Sequence, residues 1–251
     1  MKKQIITVIN QKGGVGKTTT AHTLGAGLTR RGFRVLFVDL DPQCNLSFTL
    51  RADPGPTSYD MITDGRPAAG CIQHRDEGDI IPASPALTHA DTVITGRARE
   101  SRLAAMLKPI RASYDYIIID TPPALGILTI NALTASDSIV ITAQADAYSL
   151  QAIRHLADTL TAVRTHSNPA LTIRGILITR LNPRTIIGRD LSDMMNQAAQ
   201  HLGTTRFTTM IREITAVQQA QANQADIFTY QPKSKAADDY NAFITEFLER
   251  E

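Results

Sequence analysis

The sequence predicts a three-layer α/β/α domain: a mainly parallel, twisted sheet with helices on both faces. Apolar runs at 5–9, 35–38, 116–119, 138–142 and 173–179 read as buried parallel strands, because they are nearly continuous rather than alternating. Stretches of helical periodicity separate them, and strand–helix alternation is the mark of crossover units on a parallel sheet. A length of 251 residues is enough for one such domain with a full core. No repeat, low-complexity tract or linker divides the chain, so residues 1–251 are expected to form a single domain.

The elements follow in order. The strand at 5–9 is followed by a helix over 17–31, with Ala21, Leu24 and Leu28 on one face and Gly32 just past its end. After the strand at 35–38, residues 52–78 are rich in Pro, Gly and Asp and read as loop with one short helix, capped by Thr57 or Ser58. A short strand at 79–81 precedes Pro82. Later helices are expected at 150–165, 189–201 and 236–249. Leu191, Met194, Met195 and Ala198 share one helical face, and Tyr240, Phe243, Ile244 and Phe247 share another. Both sets are assigned to the core.

Hydrophobic content of 43% and charged content of 20% are those of a globular chain. No apolar run reaches 18 residues, which argues against a membrane span. Met1-Lys2-Lys3 leads directly into a strand and lacks the pattern of a signal peptide. Cys44 and Cys71 form no paired framework, and six scattered histidines show no ligand spacing. A cytoplasmic protein is expected. The net charge of +2 does not by itself indicate nucleic-acid binding. Two basic groups stand out: Arg174, Arg180, Arg184, Arg189, Arg206 and Arg212, and then Arg97, Arg99, Arg102, Lys108 and Arg111.

The run Gln11-Lys12-Gly13-Gly14-Val15-Gly16-Lys17-Thr18-Thr19-Thr20 sits between the first strand and the first helix. That is where a phosphate-binding loop belongs. Glycines let backbone N–H groups turn inward, and the helix N-terminus adds free donors and a positive dipole end. Gly13, Gly14, Val15, Gly16, Lys17, Thr18 and Thr19 are the candidate phosphate contacts. Lys17 can reach the β- and γ-phosphates, and the Thr18 hydroxyl can ligate Mg²⁺. Position 11 is Gln where the standard loop has Gly, and Lys12 adds a second lysine.

Two more motifs fall at strand ends, the edge where ligands of open α/β sheets bind. Asp39-Leu40-Asp41-Pro42-Gln43 follows the second strand. Asp41 suits positioning of a water for attack on the γ-phosphate, directly or through Mg²⁺. Asp120 ends the apolar run Tyr116-Ile117-Ile118-Ile119 before Thr121-Pro122-Pro123, where it would hold Mg²⁺ through a water. The metal candidates are therefore Thr18, Asp41 and Asp120.

These motifs resemble those of the ParA and MinD ATPases, P-loop NTPases with a deviant Walker A loop, and most of all the small Soj-like partition ATPases. The resemblance runs over nearly the whole chain. It implies ATP/ADP and Mg²⁺ as cofactors, with Lys12 reaching a partner's nucleotide across an ATP-bound sandwich homodimer. It makes Lys12, Lys17 and Asp41 the catalytic set. Thr179-Arg180-Leu181-Asn182-Pro183 resembles the family segment beside the adenine, which makes Arg180 and Asn182 candidate base contacts. Non-specific double-stranded DNA and a ParB-like partner are implied too, as is a nucleoid-associated place in a bacterial cytoplasm.

Four positions depart from the family pattern. Cys44 stands where glycine is usual, Asp146 replaces Glu, Ile211 replaces Pro, and Thr215 takes the place of a second arginine. A Gln/Ala-rich helix at 217–225 resembles relatives from plasmids and conjugative elements. The alternatives are a nucleotide-switched regulator with incidental hydrolysis and a MinD-like positioning ATPase. The acidic end, Glu246-Phe247-Leu248-Glu249-Arg250-Glu251, is unlike MinD's basic membrane helix and argues for no membrane contact. A start at the first strand is expected to leave no room for the helix-turn-helix region of larger ParA relatives.

Overall fold

The computed structural model describes residues 3–181 and 187–250. In chain order the elements are β1 (Gln4–Ile9), α1 (Lys17–Arg30), β2 (Val35–Asp39), α2 (Asn45–Thr49), α3 (Ser58–Asp64), β3 (Asp79–Ile81), α4 (Ala90–Val93), α5 (Arg102–Leu107), β4 (Tyr116–Asp120), α6 (Ile127–Ala135), β5 (Ser138–Ala143), α7 (Ala147–His166), β6 (Thr172–Leu181), α8 (Ile187–His201), β7 (Arg206–Arg212), α9 (Thr215–Ala222), α10 (Ile227–Tyr230) and α11 (Lys235–Glu249). The strands form one seven-stranded sheet, ordered β3-β2-β4-β1-β5-β6-β7. Every pairing between these strands is parallel.

Side-chain alternation along the strands divides the core between the two faces. Ile6 and Val8 of β1, Val35 and Phe37 of β2, and Tyr116 and Ile118 of β4 pack with α1 and α11. Their neighbours Ile5, Leu36, Val38, Ile117 and Ile119 pack on the other face with α3, α5 and α6. Ile9, Ile139, Ile141, Ile176 and Ile178 continue that second face against α7 and α8. Both faces of the central strands are covered, which is why those strands read as unbroken apolar runs. Tyr240, Phe243, Ile244 and Phe247 of α11 are all buried, as their spacing predicts. Gly25 brings α1 close to the sheet, since a Cβ there would overlap the Phe37 ring.

Several expectations are corrected. β7 is invisible as an apolar run, because it is an edge strand that buries only Phe207 and Ile211. Its free N–H groups are covered by α11: Glu246 accepts from Thr208 N at 2.7 Å and Thr209 N at 2.8 Å, and Asp239 accepts from Arg212 N at 3.0 Å. Residues 82–115, which carry no assignment from the sequence, hold α4 and α5. The helix expected at 217–225 is α9, shifted towards its N-terminus and ending at Ala222. Met195 is buried, but Met194 is exposed. Thr57, not Ser58, caps α3 through a capping box with Asp60. Among the described residues no helix is long and apolar enough to cross a membrane.

Candidate functional site

The loop after β1 lies beside the ends of β4 and β5, the strands that flank β1 in the sheet. The connection from β1 runs to one side, to β2, and that from its neighbour β5 to the other, to β6, and such a switch point opens a crevice at the C-terminal edge of the sheet. Asn10 anchors the loop: its side chain accepts from Lys12 N at 2.9 Å and donates to Thr142 O. Gly14 and Gly16 take left-handed backbone, φ 73° and 78°. Val15 is wholly buried, and its carbonyl accepts from the Thr179 hydroxyl at 2.8 Å. Gly13 faces open space. The loop is thus pinned at its base and open at its crest.

The two lysines of the loop have different surroundings. Lys17 is buried and donates to Lys12 O at 3.2 Å. Burial lowers its pKa from the ordinary value, and the Asp120 and Asp41 carboxylates oppose that. Lys12 lies at the rim, 2.6 Å from Asp146 Oδ2 and 3.1 Å from Gln144 Oε1. The Tyr148 ring lies 5.9 Å from its ammonium. Burial alone would raise the Asp146 carboxyl, but bonds from Lys12 and Ser149 bring it below the usual range.

Three carboxylates lie at or just beyond the strand ends. Asp39 and Asp120 are paired in register on β2 and β4. Asp39 is fully buried and works inside its own loop: it accepts from Asp41 N at 3.0 Å, Ser47 N at 2.9 Å and the Ser47 hydroxyl at 2.7 Å. Burial pushes its carboxyl up to about 6 against those bonds. No role for Asp39 follows from sequence alone. Asp39 ends β2, and the turn that follows brings the Asp41 N–H back onto its carboxylate. Asp41 is also buried, and its Oδ1 accepts from Gln43 N at 3.0 Å.

Asp120 is different. It is fully buried, and neither carboxylate oxygen has a hydrogen-bond partner of ordinary geometry. Burial and neighbouring Asp39 raise its pKa well above the carboxylate range, while the Thr18 hydroxyl and Lys17 ammonium act the other way. A buried carboxylate so poorly supplied with donors is costly. Asp120 behind Thr18 therefore suits a bound cation and its waters. Among the described residues no three His, Cys, Asp or Glu side chains converge as a metal cage. The donor set fits Mg²⁺, which takes one or two protein oxygens and completes its shell with water and phosphate.

The cavity over the loop has a volume of about 600 Å³. Gly13, Gly14, Gly16, Lys17, Thr18 and Thr19 line one side with Asp41, and Arg180, Glu213, Gln221 and Phe48 line the others. Arg180 has left-handed backbone, φ 52°, and donates to Gly14 O at 3.2 Å and to Glu213 Oε1 at 2.6 Å. Glu213 was not foreseen as part of this wall. Asn182, the other expected base contact, lies outside the described residues, as do Arg184 and the side chains of Arg189 and Leu191.

The expected arginine surface is largely committed elsewhere. Arg174 donates to Phe247 O and stacks on the Phe247 ring, Arg206 donates to Asn196 and Phe207 O, and Arg212 pairs with Asp239. In the second group Arg111 pairs with Asp137, and Arg102 donates to Ile62 O and Thr95 O. Cys44 is held with φ 54°, the conformation for which glycine is usual. Burial and nearby Asp39 and Asp41 push its thiol up to about 11, which leaves it a poor nucleophile.

Comparison with known proteins bears on this site. Residues 3–173 match the family model of an AAA domain. The sporulation initiation inhibitor protein Soj of Bacillus subtilis is 39% identical over 94% of this chain and 95% of its own. The chain belongs to the Soj/ParA family of partition ATPases. A Mycobacterium smegmatis structure named cobyrinic acid a,c-diamide synthase, with bound ATP analogue and magnesium, superposes with a TM-score of 0.85. It is 30% identical, covering 99% of this chain and 95% of its own. A Cyanothece McdA variant in complex with ATP gives a TM-score of 0.86 at 25% identity, covering 98% of this chain and 96% of its own. As a ParA-family ATPase the chain brings the 11–20 loop, the Asp39–Gln43 segment and the segment beginning at Asp120 to one sheet edge.

Proposed function

We propose that residues 1–251 act as one Mg²⁺-dependent ATPase domain that hydrolyses ATP to ADP and phosphate and drives DNA partition. The single observation that carries this reading is the buried, unpartnered Asp120 carboxylate behind Thr18 and Lys17. Thr18 would hold the metal directly and Asp120 through a water, with Asp41 close by. A bound Mg²⁺ neutralises charge developing on the β- and γ-phosphate oxygens. Lys17 places a point charge on the same phosphates, and the N–H groups of residues 13–19 cradle them. Asp41, its backbone N–H fixed by Asp39, orients the attacking water.

In this reading ATP joins two copies in a sandwich dimer, with Lys12 leaving Asp146 and Gln144 for the partner's nucleotide. The dimer binds double-stranded DNA non-specifically, and a ParB-like partner stimulates hydrolysis. The protein would act in the bacterial cytoplasm, on the nucleoid. The cationic surface for DNA rests on exposed Lys233 and Lys235 rather than on the paired arginines. That pairing favours a second reading, a nucleotide-switched regulator whose hydrolysis is incidental.

Asp41→Ala is the test. The variant is expected to bind ATP and to elute as a dimer in Mg-ATP, while phosphate release falls by about a hundredfold or more. Unchanged phosphate release would remove Asp41 from the mechanism. Gel retardation of unrelated duplexes separates the two readings: retardation in Mg-ATP but not ADP, falling steeply with salt, supports partition. No retardation at low salt leaves the regulator.

A further inference from the structure

A single side-chain hydrogen bond joins the phosphate loop to α9, between residues 202 apart in sequence: Gln221 Nε2 donates to Thr19 Oγ1 at 2.8 Å. Thr19 lies in the first turn of α1, and both residues line the cavity. A hydroxyl has one hydrogen to donate and lone pairs with which to accept. With the Gln221 amide donating to its oxygen, the Thr19 hydroxyl keeps its hydrogen for an acceptor in the cavity. A phosphate oxygen is such an acceptor, and hydrogen bonds to charged groups are about twice as strong as neutral ones.

The turn that ends α9 is tied to the segment following Asp41. Gln224 Nε2 donates to Phe48 O at 2.8 Å, and Arg51 Nη2 donates to Asn223 O at 3.3 Å. Gln224 and Arg51 both have left-handed backbone, φ 50° and 52°. L side chains rarely adopt that conformation, and it gathers at switch regions. Of the five non-glycine residues with positive φ among the described residues, Cys44, Arg51, Arg180 and Gln224 all sit in or beside the segments that wall this cavity; Ala98 is the fifth.

We propose that Gln221 is a positioning residue for nucleotide binding. It orients the Thr19 hydroxyl as a donor to a nucleotide phosphate, and through α9 it links that contact to α2. The inference rests on the reading of the cavity as a nucleotide site. It concerns a phosphate that ADP and ATP share, so both nucleotides report on it.

Equilibrium binding of a fluorescent ADP and of a non-hydrolysable ATP analogue, with Mg²⁺ and the full chain, tests it. Gln221→Ala is expected to weaken both nucleotides by about tenfold, the effect of one hydrogen bond to a charged group. Gln221→Glu has the same size but accepts instead of donating. It would take the hydroxyl hydrogen and set a negative charge near the phosphates, so its affinity should fall below that of Gln221→Ala. Thr19→Val should match Gln221→Ala, and the double variant should lose no more than either single one.

Wild-type affinity in Gln221→Ala overturns the proposal. So does Gln221→Glu binding as well as Gln221→Ala or better, since a purely packing role would leave the isosteric variant near wild type, or losses that add in the double variant. Thermal melts without nucleotide expose misfolding, and in that case the isosteric Gln221→Glu decides. Lys17→Ala is the control: if wild type and Lys17→Ala bind equally, the nucleotide reading itself has failed.

Discussion

On one side of the cavity, the run from Gly13 to Thr19 lines the wall with Asp41, with Val15 and Asp120 buried behind it. On the other side, Arg180, Glu213, Gln221 and Phe48 come from four separate segments. Side-chain bonds tie Arg180 to Gly14 and Gln221 to Thr19 across the cavity, 166 and 202 residues apart, and Gln224 at the end of α9 to Phe48, 176 apart. The first wall is made of backbone whose shape follows from residue order, so a spacing rule describes it. The second is a tertiary assembly, and its parts can change identity if the contacts are replaced. That explains how the chain departs from the family at Ile211 and Thr215 without losing the wall. Ile211 is buried in the core against α11 and α9, and Thr215 begins α9.

The sharpest way to break this comparison is to weaken each wall in turn and titrate nucleotide. Lys17→Ala removes a buried point charge from the triphosphate, and affinity should fall more than about a hundredfold. Arg180→Ala removes a half-exposed side chain already paired with Glu213, and exposed pairs contribute little. Its loss should stay below about tenfold. Equal losses in one titration would show that the second wall holds the nucleotide as firmly as the first.

The same contrast decides what was legible in the sequence. The central strands, α1 and the residues from Lys12 to Thr19 follow from apolar runs and glycine spacing. Asp41 and Asp120 follow from their places at strand ends. β7 does not, since an edge strand half covered by α11 need not be apolar. Glu213 and Gln221 do not, because nothing local in Arg-Glu-Ile or Gln-Ala-Gln marks one residue that pairs with Arg180 and another that meets Thr19. The arginine group misled for a related reason. A one-dimensional count of cations does not see that Arg174, Arg206 and Arg212 are consumed by Phe247, Asn196 and Asp239.

Cys44 offers a finer test of the first wall. Its φ of 54° is the conformation that a glycine would adopt freely. A non-glycine residue there costs about 1–2 kcal/mol, while glycine returns about 0.5–1 kcal/mol in unfolded-chain entropy. Cys44→Gly should therefore raise stability by up to about 1 kcal/mol, read from urea denaturation midpoints at constant m. A clear loss would mean that the Cys44 side chain, packed beside the second face of the core, contributes more than its backbone costs.

An effect of similar size is expected away from the cavity, at the edge strand that the sequence hides. Burial alone would raise the Glu246 carboxyl, but the N–H groups of Thr209 and Thr208 and the Arg250 guanidinium bring it below its ordinary value of 4.5. The folded chain therefore binds this proton more weakly than the unfolded chain. The stability that Glu246 contributes is complete above pH 4.5 and is lost as pH falls through the lower folded value. Glu246→Gln keeps one acceptor oxygen of two and loses the charge, so it should cost about 1 kcal/mol at pH 7. Stability curves of the two proteins, measured from pH 7 down to about pH 3, should converge as the wild-type carboxylate is protonated. A gap that stays constant over that range would mean that the charge of Glu246 does not hold β7, and that the strand depends on its other contacts, the buried Phe207 and Ile211 and the Asp239 carboxylate.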